Sequence, residues 1–125
     1  RGVYIGDRVQ RDGSYHQGTA WSWLIGTFIT AYRRVHDYST ASRAQAFRFI
    51  SPFRDHLRDH GVGYVSEIFD GEEPAVPRGC IAQAWGVAEV LRAYVEDVLE
   101  IRPLSEAKKY RYLNCLGVRP QTRPP

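Results

Sequence analysis

Apolar residues recur along this chain at helical spacing in three places. Trp21, Ile25, Phe28, Tyr32 and Val35 follow at steps of four, three, four and three, with Leu24 and Ala31 widening the stripe. Thr19 stands where an N-cap would, so this pattern predicts a buried helix near 19–36. Ala46, Phe47, Ile50, Phe53 and Leu57 form the apolar face of a second helix near 40–60, capped by Ser39 or Thr40 and closed by Gly61. Arg43, Arg48, Arg54, Asp55 and Arg58 lie on its outer face, and Pro52 should kink or split it, because proline removes a ladder hydrogen bond. Ile81, Ala84, Ala88, Leu91, Val95 and Leu99 mark a third helix near 79–101, with Trp85, Val87, Val90 and Tyr94 covering much of the rest. It opens at Gly79 and ends at Ile101-Arg102-Pro103.

The segments between carry turn chemistry. Residues 1–18 hold Gly2, Gly6, Asp12-Gly13-Ser14 and Gly18 and read as loop, with a short extended piece at Val3-Tyr4-Ile5. Residues 61–79 read as one long loop, since Asp70-Gly71 marks a turn and Pro74 and Pro77 block helix. A loop of that length in a compact domain is usually functional, and Ile68-Phe69 argues against disorder. A short helix over Ser105–Leu113 and a loose end over Gln121–Pro125 complete the reading. Three helices with such broad apolar faces do not close a core alone. The pattern predicts an all-α piece of a larger structure, or a chain that self-associates.

Composition narrows this little. At 125 residues the chain is at most one ordinary domain, and 43% hydrophobic with 25% charged residues is globular usage. No apolar run reaches the roughly 20 residues of a membrane span, and no secretory leader is visible. Cys80 and Cys115 match no metal spacing and read as free thiols of a reducing, cytoplasmic compartment. Net charge is +3, but the stretch from Ile101 onward carries six basic residues against Glu106, so +5, leaving −2 for residues 1–100. Without a run of like charge or a basic stripe in the body, this tail reads as a solvated extension. Neither a nucleic-acid nor a membrane partner is expected. His56 and His60 have the i, i+4 spacing of metal ligands, but no third ligand accompanies them, and no metal or other cofactor is expected.

Three segments carry a more specific signal. They are Arg11-Asp12-Gly13-Ser14-Tyr15-His16-Gln17-Gly18-Thr19-Ala20-Trp21-Ser22-Trp23-Leu24-Ile25-Gly26, Ser66-Glu67-Ile68-Phe69-Asp70-Gly71 and Pro77-Arg78-Gly79-Cys80-Ile81-Ala82-Gln83-Ala84-Trp85. In this order and spacing the chain resembles the C-terminal amylo-α-1,6-glucosidase region of glycogen debranching enzymes, from about Tyr4 to Arg92. One position departs: the family usually has Pro where Ser22 stands, a change expected to cost little at a first helical turn.

The resemblance implies the C-terminal fragment of an (α/α)6 barrel, built from residues 1–102, with 103–125 a basic and partly disordered tail. It implies a glycoside hydrolase acting on α-glucan or glycogen, whose general acid lies in an upstream segment, so that the isolated chain is inactive. Such hydrolysis needs two carboxyl groups, one protonated and one ionised. Glu67, between Val65 and Ile68, takes the place of the catalytic base by resemblance, and Asp70 is a weaker candidate. His16 and Gln17 stand where they could bond sugar hydroxyls. Tyr15 and Trp21, and Trp23 beside them, could face a glucose ring. Arg78 could orient Glu67 or Asp70. Gln83, at the edge of the third stripe, needs a polar partner, while Trp85 reads as core. The alternative is a non-catalytic helical module of the same descent that binds glycan or protein.

Overall fold

The computed structural model describes residues 2–102, and within them the protein is mostly helical with one small sheet. The expected second helix is split at Pro52 into α3 (Thr40–Ile50) and α4 (Phe53–Asp59). Ser39 caps α3, its hydroxyl accepting from the Ser42 amide. The first stripe forms α2 (Leu24–Val35), and the third forms α5 (Ala84–Ala93), continued by a π-helical turn over Tyr94–Val98. Helix α2 packs on both α3 and α5, and α3 meets the π-helical turn. Ile29, Ala46, Ile50, Ala93 and Val98 are the buried centre, with Ile25, Phe49, Phe53, Val90 and Tyr94 packed around them.

Four expectations are corrected. Residues 8–15 are helix rather than loop: α1 (Arg8–Tyr15) starts at Asp7, which exchanges capping bonds with Gln10. That capping box outweighs the turn tendency of Asp12-Gly13. Trp21 is strand rather than helix: β1 (Ala20–Trp21) precedes α2, so Thr19 caps nothing and instead donates its hydroxyl to the Tyr15 carbonyl. The long loop contains β2 (Ile68–Phe69) and β3 (Pro77–Arg78), and α5 begins five residues after Gly79. The stripes are also less buried than their periodicity suggests. Phe28, Val35, Leu91 and Trp85 are exposed, and Trp85 stacks on Trp23 at 4.4 Å instead of entering the core.

The sheet places the chemistry. Strand β2 is central and antiparallel to both neighbours, with Trp21 opposite Ile68 and Ile68 opposite Arg78. Strands of two residues have too little ladder to stand alone. Here Ile68 is fully buried, and the residues from Val65 through Ile68 all lie inside. The chain from Ser105 onward, with its predicted short helix, its basic residues and Cys115, lies outside the described residues.

Candidate active site

Glu67 sits immediately before β2 and is 9% exposed. Its backbone is clamped from two sides: its N–H donates to the Cys80 carbonyl at 2.9 Å, and its carbonyl accepts from the Ser22 N–H at 3.0 Å and the Ser22 hydroxyl at 3.1 Å. Its carboxylate accepts three further bonds. The Tyr15 hydroxyl reaches Oε1 at 2.6 Å, Gln83 Nε2 reaches Oε1 at 2.8 Å, and the Cys80 N–H reaches Oε2 at 3.0 Å. The 2.6 Å bond has the length of a charge-assisted O–H···O⁻ contact.

Each donor is placed by a local cause. Tyr15 is the last residue of α1, and its carbonyl is held by Thr19 and by Trp21 Nε1 at 3.0 Å. Gln83 occupies the N-cap position of α5. Cys80 follows Gly79, whose φ of +73° belongs to the left-handed region. A Cβ at Gly79 would lie 2.5 Å from Glu67 Oε2, so glycine is required both for the turn and for the close approach.

Electrostatics follow from this geometry. Burial alone pushes the Glu67 carboxyl up. The bonds from Tyr15, Cys80 and Gln83 outweigh burial, the charge of His16 adds to them, and the carboxyl is held below its ordinary range. Tyr15 moves the other way. Burial first, then its bond to Glu67 and the carboxylate charge, push its hydroxyl up to about 12. The pair therefore stands as neutral phenol and ionised carboxylate at neutral pH.

Arg78 is placed differently from one of its expected roles. Its guanidinium pairs with Asp70, Nε and Nη2 both reaching Oδ2, at 3.2 and 3.1 Å, and not with Glu67. Asp70 also accepts the Tyr4 N–H at 2.8 Å, so it is a buried tie between the N-terminal stretch and β3. Tyr15 gives its hydroxyl to Glu67 and packs its ring edge-on to Trp21 at 4.8 Å. Trp21 in turn stacks on exposed His16 at 5.1 Å and 4°. Gln17 is exposed. Glu67, Asp70, Tyr15, His16, Trp21, Arg78 and Gln83 are thus gathered around β2 or linked to it through Tyr15, with Gln17 adjacent.

Sequence reasoning missed the Cys80 amide, Gly79 and Ser22. Gly79 is readable as a glycine inside a motif, but its place before the third stripe suggests a helix start rather than the left-handed turn found here. Ser22 tethers Glu67 through an N–H that proline lacks, a link to the site that the reading of position 22 as a first helical turn did not foresee.

The chemistry is thus a buried carboxylate of depressed pKa held only by neutral donors, a combination typical of functional sites. A family model described as amylo-alpha-1,6-glucosidase matches residues 1–92. The chain belongs to the amylo-α-1,6-glucosidase family. Its matched part corresponds to the C-terminal region of glycogen debranching enzymes. Searches of curated proteins and of solved structures returned no match. Within this family member, an apolar groove of about 740 Å³ between α3, α4 and α5 contains none of the expected site residues. Among the described residues no helix is long and apolar enough to cross a membrane.

Proposed function

We propose that this chain supplies the base-bearing part of an α-1,6-glucosidase site that releases branch-point glucose from α-glucan or glycogen, in the cytoplasm. The observation that carries the reading is the Glu67 carboxylate, buried, ionised and bonded only to neutral donors. An ionised carboxylate offers about four lone-pair positions, and three are filled here. The fourth is the one that would accept a proton from an attacking water. That water adds to the anomeric carbon as the glycosidic bond breaks, and the leaving oxygen takes a proton from a second carboxyl group. In inverting glycosidases the two carboxyls stand about 6.5–9.5 Å apart.

The second carboxyl belongs to an upstream segment in this reading. The apolar groove between α3, α4 and α5 supports it, because such a face works against further protein, supplied by that segment or by self-association. Trp21 and His16 form a flat stacked pair beside Tyr15, suited to a sugar face and its hydroxyls. Arg78 holds Asp70, and so braces the strand beside Glu67.

The test is activity on a phosphorylase limit dextrin. The isolated chain should release no glucose, and the chain joined to its upstream segment should. In that complete enzyme Glu67→Gln should keep glucan binding and lose about 10²-fold or more in turnover, the lower end of what general-base assistance contributes. Glu72→Gln and Glu73→Gln, in the same loop, should change the rate only a few-fold. Full activity in Glu67→Gln would remove Glu67 from the mechanism. A complete chain that binds glucan yet turns nothing over would favour a non-catalytic binding module.

A further inference from the structure

His56 and His60 lie one helical turn apart, and their rings stack at 5.7 Å. His56 is half-buried. Its ring lies edge-on to Phe69 of β2 at 5.1 Å and to Phe53 at 6.4 Å. Gly61 closes over it, since a Cβ there would come within 3.2 Å of Nε2. Nε2 accepts the backbone N–H of Ser66 at 3.1 Å. Ser66 is 1% exposed, so that amide has no easy exchange with water, and the next residue is Glu67.

We propose that His56 is a positioning residue for Glu67: its unprotonated Nε2 anchors the Ser66 amide, fixes the chain that delivers the carboxylate, and releases it when the ring is protonated. The anchor stands on geometry alone. Only its consequence for turnover rests on reading Glu67 as the base.

The chemistry is a donor–acceptor count. Nε2 can accept only while the ring proton sits on Nδ1. A second proton sets N–H against N–H, and the buried Ser66 amide is left without a partner. The groups around the ring decide when this happens. On α4, burial and then the neighbouring His60 disfavour the charged ring, and Asp59 favours it. From the β2 side the ring meets Phe69 and the Ser66 amide. The titratable group there is Glu67, whose carboxylate is engaged by Tyr15, Cys80 and Gln83. Exposed Tyr64 completes the loop. The balance holds the His56 ring below the ordinary imidazole range. The anchor is therefore intact at neutral pH and lost on acidification.

The experiment follows the His56 ring by NMR titration, together with hydrogen-exchange protection of the Ser66 amide, in this chain. Protection should fall roughly tenfold, the value of one such hydrogen bond, in step with protonation of His56. His56→Gln, which offers a non-titrating oxygen near the same place, should hold protection level across that range. His56→Phe should lose roughly tenfold at every pH. Ser66 protection that ignores the ring's titration overturns the anchor, whether or not His56→Phe folds. In the complete enzyme, His56→Gln should remove this acid limb from kcat and leave KM unchanged. A rate that ignores His56 while Ser66 protection follows it overturns His56 as a positioning residue for Glu67 and leaves the anchor standing, whereas full activity in Glu67→Gln overturns Glu67 as the base.

Discussion

Of the charged side chains buried among the described residues, Arg33 and Glu67 are held in opposite ways. Arg33, on α2, is fully buried. It donates to the Ser39 carbonyl and the Ser42 hydroxyl, stacks near Tyr38, and pairs with Glu100, which Arg43 also engages at 3.2 Å. Its charge is cancelled by a counterion, and every partner is a structural joint between α2, the start of α3 and the end of the last turn. Glu67 is buried almost as deeply, yet no cation bonds to it among the described residues. The guanidinium closest to it along the second and third motifs, that of Arg78, is taken by Asp70. A neutralised charge stabilises a joint. A charge held only by neutral donors stays ionised at neutral pH without a counterion bound to it, and so remains open to a reacting group.

Mutations should separate the two. The largest effect on stability belongs to Arg33. Arg33→Ala leaves a cavity and strands the Ser39 and Ser42 acceptors, and should cost about 2–5 kcal/mol by chemical denaturation. A loss under about 1 kcal/mol would mean that the arginine is no more than a solvated pair, worth what exposed ion pairs are worth. Tyr15→Phe removes one hydrogen bond to a charged group and should cost about 1.5–3 kcal/mol. A smaller effect is expected from Gly79→Ala, about 1–2 kcal/mol of left-handed backbone strain, with displacement of the Glu67 carboxylate seen as a changed Cys80 amide shift. An unchanged shift would mean that the cradle yields without moving Glu67.

The pH dependence sharpens the same contrast. The Glu67 carboxyl is depressed in the fold, so its contribution is present above the ordinary carboxylate range and is lost as pH falls through the folded value. Tyr15 is raised, so its contribution is full below 10.0 and is lost as pH rises through about 12. Denaturation midpoints should therefore fall at both extremes in the native chain. In Glu67→Gln the acid loss should shrink.

Much of the helical side was legible in sequence because its signals are local. The stripes placed α2, α3 and α5, Ser39 was readable as a cap, and Pro52 marked the break before α4. The sheet side was not legible from periodicity, because two-residue strands carry no alternation. Trp21 joined a helical stripe by the accident of its spacing from Ile25. Glu67 was found through motif resemblance, but its environment was not. Its donors come from 52, 16 and 13 residues away, and one of them is a backbone amide. No local pattern encodes that convergence. Only Gly79, whose conformation permits it, leaves a trace in the sequence. The α1 helix was missed where Asp7 and Gln10 spelled a capping box ahead of a misleading Asp-Gly pair.

The measurement closest to the central claim is a ¹³C NMR titration of the Glu67 side-chain carboxyl in the native chain and in Tyr15→Phe. If neutral donors hold this buried carboxylate ionised, its midpoint lies below the ordinary glutamate value of about 4.3 and rises when the Tyr15 hydroxyl is removed. A midpoint at or above that value in the native chain, or one unmoved by Tyr15→Phe, would contradict the account.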